Sequence, residues 1–131
     1  MKTECQSECF SFGGKIYPCP LSVAMDLVGG KWKAVILYHL QDGVKRFGEL
    51  HDSLHGVTEA VLSRQLKQLE QGGLVSREVF GNRPPLRAEY ALTDFGRSFL
   101  PVLERLTEWG NRAVLEYGEV VVREYGGKSV L

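Results

Sequence analysis

The chain has 131 residues, 44% of them hydrophobic, with 16 basic and 16 acidic side chains and a formal net charge of zero. That length suits one domain with a modest core, and no apolar run approaches the roughly 20 residues that a membrane-spanning helix needs. A neutral balance supplies no bulk attraction to nucleic acid, so a role there has to rest on the arrangement of charges.

Residues 1–17 read as a flexible amino-terminal arm and 18–131 as the folded domain. The first 12 residues are polar and lack the apolar stretch of a secretory signal, so a cytoplasmic location is expected. Pro20 suits the first position of a helix, and Leu21, Ala24, Met25 and Val28 then fall on one side before Gly29 and Gly30 close it. Trp32, Val35, Ile36, Leu37 and Leu40 give a second helix a broad apolar surface, which reads as central core. Cys19 takes the N-cap place of the first helix, where the dipole favours a thiolate. A reactive thiol and a small apolar residue at an interface are both open readings of it.

Residues 47–71 carry the most informative pattern. Phe47 to Leu54 and Thr58 to Gln71 are two helical stretches joined by a three-residue turn with a glycine, the form of a helix-turn-helix. In the second helix Leu62, Leu66 and Leu69 form a core stripe. Ala60, Arg64, Lys67, Gln68 and Gln71 project from the other side, with Ser63 at the edge. Thr58 is the expected N-cap, and Val57 is placed to meet Leu62 as a hydrophobic staple. With this helix in a major groove, Ser63 and Arg64 reach base edges and Lys67 holds phosphate. A solvated charged face is the competing reading.

Beyond Gly72 and Gly73, residues 74–80 and 86–92 are strand-like and flank a turn-rich tip with Arg83, Pro84 and Pro85, followed by Arg87. The prolines cannot pair as a central strand, so the tip is expected to project as a stiff basic finger, or else to cap the core. A helix-turn-helix followed by such a hairpin is a winged helix. The acids Glu70 and Asp52 need not share the surface of Arg64, Lys67, Arg83 and Arg87. Thr93 and Asp94 then cap a long helix in which Phe95, Phe99, Val102, Leu103, Leu106, Trp109, Ala113, Tyr117, Val120 and Val121 recur at three- or four-residue spacing. Pro101 is expected to kink it without ending it. So long an apolar stripe exceeds what a small domain covers, which assigns it, with the first helix, to a twofold dimer interface; wrapping on its own domain is the alternative.

In combination, Cys19-Pro20, Gly29-Gly30-Lys31-Trp32, Leu37-Tyr38-His39-Leu40, the run from Gly43 to Leu50, Leu66-Lys67-Gln68-Leu69-Glu70, Gly73-Leu74-Val75, Pro84-Pro85, Tyr90-Ala91-Leu92-Thr93 and Gly96-Arg97 resemble the HxlR-type family of bacterial winged-helix regulators. The resemblance covers residues 17–110. It implies a homodimeric transcription factor with residues 58–71 as recognition helix and the hairpin as wing. It also makes Lys45 and Arg46 candidates for phosphate contact, and it implies sensing of oxidants, quinones or aldehydes at Cys19. The arm with Cys5 and Cys9 and the longer carboxy-terminal tail depart from the family pattern.

The fold expected is therefore mainly α with a small β-hairpin, an α+β winged helix-turn-helix that dimerises through its first and last helices. Its expected partners are double-stranded DNA with a palindromic operator, a second copy, and an oxidant or small electrophile. The DNA-contact set is Lys45, Arg46, Thr58, Ala60, Ser63, Arg64, Lys67, Arg83 and Arg87. No cofactor is expected. The spacing Cys-x3-Cys-x9-Cys lacks a second close pair for zinc, and Cys5 and Cys9 are candidates to resolve an oxidised Cys19. With neither a phosphate-binding glycine loop nor a nucleophile elbow, an enzyme is not expected. The alternatives are control by a small ligand between subunits, or a dimeric protein-interaction module without specific DNA binding.

Overall fold

The computed structural model describes residues 9–121, and the backbone of 123–125 and 128–130. Strands β1 (Phe10–Phe12) and β2 (Lys15–Tyr17) form an antiparallel hairpin within the amino-terminal arm, Phe10 opposite Tyr17. Helices α1 (Pro20–Val28) and α2 (Lys33–His39) follow. Proline at the first position of α1 gives up no intrahelical bond, and Cys19 in extended conformation is its N-cap. The Tyr17 hydroxyl donates to the Asp26 carboxylate at 2.7 Å, which fastens the hairpin to α1 and raises the phenol pKa above its ordinary value.

Strand β3 (Lys45–Arg46) leads into α3 (Phe47–Ser53), and a turn at Gly56 (φ +92°) leads to α4 (Glu59–Gln71). Thr58 caps α4 by accepting from the Val61 amide at 3.2 Å. The other end closes as a Schellman motif. Gly73 takes φ +81°, its amide bonds to Glu70 O, and the Leu74 amide bonds to Leu69 O at 3.0 Å, with both leucines buried.

Strands β4 (Val75–Phe80) and β5 (Arg87–Leu92) form the expected hairpin, and β3 adds a third strand in the order β3-β5-β4. Sequence reading had given Lys45 and Arg46 no strand. Val75, Tyr90 and Leu92 bury the sheet face turned to the helices. The core joins them to Ile36 and Leu37 of α2 and its C-cap Leu40, Leu50 and Leu54 around α3, Val57, and Leu62, Leu66 and Leu69 of α4.

The long carboxy-terminal helix is a correction. It is two helices, α5 (Asp94–Arg97) and α6 (Leu100–Tyr117), separated at Ser98 and Phe99. Pro101 lacks an amide hydrogen and its ring would clash with the carbonyl of residue 97 in a continuous helix, so it sits near the start of α6 rather than kinking a longer one. Helix α6 ends at Tyr117 with Gly118 as its C-cap, so Val120 and Val121 lie beyond it. Strands β6 (Arg123–Tyr125) and β7 (Lys128–Val130) pair antiparallel.

Candidate nucleic-acid interface

Helix α4 presents three different surfaces. Leu62, Leu66 and Leu69 are wholly buried or nearly so, which fixes its roll about its own axis. On one flank Ser63, Lys67 and Glu70 meet the sheet and line a recess of about 250 Å³ with Arg77 and Tyr90. On the other flank Gln68, Gln71 and Gly72 line a cavity of about 440 Å³ with Phe12, Gly13, Lys15 and Tyr17 of the arm. Between these flanks Ala60 and Arg64 stand exposed.

Gln68 and Gln71 are exposed and also border the arm hairpin, and one expectation about α4 changes. Glu70 shares a recess with Lys67, so acidic and basic groups are less separated than the sequence suggested. The open stripe is Ala60, Ser63, Arg64 and Lys67, with Thr58 engaged in capping at its start.

The register of the sheet divides the remaining basic residues between its two faces. Partners in an antiparallel ladder share a face. Lys45, Tyr90 and Arg77 form one row across β3, β5 and β4 on the face turned to α4. Arg46, Glu89 and Glu78 form the next row on the opposite face, where Arg87 also lies. Arg87 is partly spoken for: its Nε is 3.1 Å from Glu89 Oε2, and its guanidinium stacks 5.2 Å from the Phe80 ring centre. The Arg46 amide donates to Glu49 Oε1 at 2.8 Å, which caps α3 and leaves its side chain exposed. Arg83 is exposed at the tip of the hairpin.

Sequence reading missed Arg77. Its strand alternates Val75, Arg77 and Val79 on the helix-facing side, so spacing alone groups it with core positions. The usable signal was a lone cation on the apolar face of a strand that begins immediately after α4.

At the head of α1, Cys19 is buried, its Sγ lies 3.4 Å from Ser22 Oγ, and it is disulfide-bonded; Cys9 is a free, exposed thiol. Cys5, a candidate resolving thiol, lies outside the described residues. Among the described residues no group of three His, Cys, Asp or Glu side chains is placed to hold a metal ion, and no helix is long and apolar enough to cross a membrane.

The HxlR-like helix-turn-helix family profile matches residues 27–117. This chain belongs to the HxlR-like family. The chain is 45% identical over 107 residues to the HTH-type transcriptional regulator YybR of Bacillus subtilis (strain 168), covering 77% of this chain and 85% of that protein. Among solved structures, the redox regulator HypR in its reduced form shares 43% identity at a TM-score of 0.68, covering 74% of this chain and 97% of HypR. Reduced YodB of B. subtilis shares 31% identity at a TM-score of 0.64, covering 77% of this chain and 98% of YodB. The protein is thus a winged helix-turn-helix transcriptional regulator related to redox-sensing regulators, in a family that is not catalytic. HypR is also solved in an oxidised form and YodB after diamide treatment.

Proposed function

We propose that this HxlR-like protein acts in the cytoplasm as a homodimer that binds a roughly palindromic site on double-stranded DNA. Two copies of α4 would enter successive major grooves, about one helical turn apart or more. The observation that carries this reading is the open stripe of Ala60, Ser63, Arg64 and Lys67 on a helix whose opposite side is locked into the core, with the wing alongside. Ser63 and Arg64 read base edges, and Arg64 has the reach for guanine O6 and N7. Lys67, Lys45, Arg46 and the wing residues Arg83 and Arg87 hold phosphate.

A second copy covers α1 and α6. Leu21 is 68% exposed, Met25 56%, Trp109 71% and Leu115 81%, so each of the two helices carries large apolar side chains that its own domain does not cover. Cys19 is the candidate switch. It is the buried N-cap of α1 and follows the hairpin that borders the end of α4. An oxidant that converts the Cys19 thiolate to a sulfenic acid, followed by attack of a second thiol with loss of water, gives a disulfide. Bonding there alters the seat of the hairpin and the bias between two dimer geometries.

The deciding experiment is selection of duplexes from a random pool by the reduced protein, then binding at two salt concentrations before and after diamide. Arg64→Ala is expected to keep fold and dimer while losing about 1 to 3 kcal/mol of base discrimination. Cys19→Ser puts a hydroxyl, a favourable N-cap group, in place of the thiol, so it should fold, bind DNA and ignore diamide. Specific binding that diamide leaves unchanged would redirect the signal to a small ligand. A cavity of about 570 Å³ between α2 and α6, lined by Tyr38, Gln41, Leu103, Glu104, Thr107 and Glu108, supports that second reading. Failure to enrich any duplex would favour a protein-interaction module.

A further inference from the structure

Arg77 lies where the helix-facing side of the sheet leaves the core. Val75, two residues earlier on the same face, is buried, whereas Arg77 is exposed. Its register partner Tyr90 on the neighbouring strand is buried, and Lys45 continues the row on the far side of Tyr90. Across a short gap lies the flank of α4, so that Arg77, Tyr90, Ser63, Lys67 and Glu70 together line one polar recess of about 250 Å³.

The charges in that recess are unbalanced. Among the described residues neither Arg77 nor Lys67 has a carboxylate within 4 Å, in contrast to Arg87 with its Glu89 partner. Glu70 offsets one of the two cations, and the recess keeps a net positive charge. Two cations held on a helix and a strand that cannot rotate away favour an anion between them. The planar guanidinium of Arg77 suits two oxygens of one phosphate, and the Ser63 hydroxyl adds a neutral donor. The recess adjoins the open stripe of α4, so the strand backbone bordering the groove that α4 enters passes its mouth.

We propose that Arg77 and Lys67 clamp one backbone phosphate of the DNA at the junction of recognition helix and wing. The inference rests on the DNA-binding reading above and adds to it a contact that sets the angle of the wing to α4. A phosphate contact carries no base information, so its loss weakens binding to every sequence alike.

The test uses the full-length protein, the duplex it selects from a random pool and an unrelated duplex, with binding followed across a range of salt. Arg77→Ala is expected to bind both duplexes about tenfold more weakly, as removal of a charge-assisted hydrogen bond does. Its salt slope should be smaller by about 0.9 per protomer, and its preference for the selected site should be unchanged. Arg77→Lys should keep the slope and lose part of the affinity. Neutral methylphosphonate replacing each phosphate in turn should identify one position per half-site that weakens the wild type and leaves Arg77→Ala indifferent. Should Arg77→Ala unfold, the same scan with Arg77→Lys decides, because the lysine variant should lose less than the wild type at that position. Wild-type slope and affinity in Arg77→Ala would overturn the clamp, as would a loss confined to the selected duplex. If the wild type selects no duplex, the DNA-binding reading itself fails.

Discussion

The Thr93 hydroxyl donates to the Gly73 carbonyl at 2.6 Å while it accepts from the Gly96 amide at 3.0 Å. One side chain thereby caps α5 and ties it to the left-handed glycine that ends α4. The Thr93 amide adds a bond to Leu74 O at 3.1 Å. Thr93→Val keeps the shape and removes both hydroxyl bonds, so it should destabilise the fold by about 1 to 2 kcal/mol, whereas Thr93→Ser should stay near wild type. Urea midpoints at equal slope measure this, and a Val variant matching the wild type would refute the link.

Gly96 itself is constrained by its neighbour. A Cβ placed there would overlap the Leu74 carbonyl, which is backbone and not a flexible side chain that could yield. Gly96→Ala should therefore cost about 1 to 3 kcal/mol by overpacking. Gly48, in α3, has nothing within 4 Å of such a Cβ and no left-handed φ. Gly48→Ala should stabilise by about 0.5 to 1 kcal/mol. Thermal unfolding of the two variants side by side should move the melting point in opposite directions.

These local constraints mark what could and could not be read from the chain. The helix-turn-helix was legible because its signals are local and agree: Thr58 as cap, Val57 before it, three leucines on one stripe, and the glycine pair that stops the helix. Strand β3 was not, because two residues, Lys45 and Arg46, give no period to detect. The arm hairpin was equally silent, since its three-residue strands bury little. The break before Leu100 was masked by apolar residues that keep helical spacing across it; only the steric demand of Pro101 marks the boundary. The candidate site divides in the same way. Ser63, Arg64 and Lys67 follow from the helical period, but the pairing of Arg87 with Glu89, the placing of Gln68 and Gln71 beside the arm, and the meeting of Arg77 with Lys67 depend on tertiary packing.

The pairing of Arg87 sets a testable difference between the two wing arginines. Its bond to Glu89 is partly exposed, a kind of pair that contributes about 0 to 1 kcal/mol, weak enough for a phosphate to compete with it. Glu89→Gln should free the guanidinium, strengthen binding to random duplex at low salt, and steepen the salt slope. Arg83, exposed at the tip, needs no such release, and Arg83→Ala should reduce the slope by about 0.9 per protomer. Titrations of the two variants over the same salt series would separate the roles; identical slopes in Glu89→Gln and the wild type would remove Arg87 from the contact set.

His39, at the end of α2, gives the fold a pH dependence of defined sign. Burial is the main cause that lowers its pKa below the ordinary 6.5, and repulsion from Lys45 and His55 adds to it while Asp42 partly opposes it. In the unfolded chain the imidazole therefore binds a proton more readily than in the folded protein. Stability from this residue is complete above about pH 6.5, and it is lost as the pH falls from there towards the lowered folded value. His39→Gln cannot be protonated, so its stability should fall less than that of the wild type between about pH 8 and 5. Lys45→Gln removes part of the repulsion and should lessen the acid loss by a smaller amount. Urea unfolding at a series of pH values tests both, and curves for His39→Gln that run parallel to the wild type would assign the acid sensitivity to other groups.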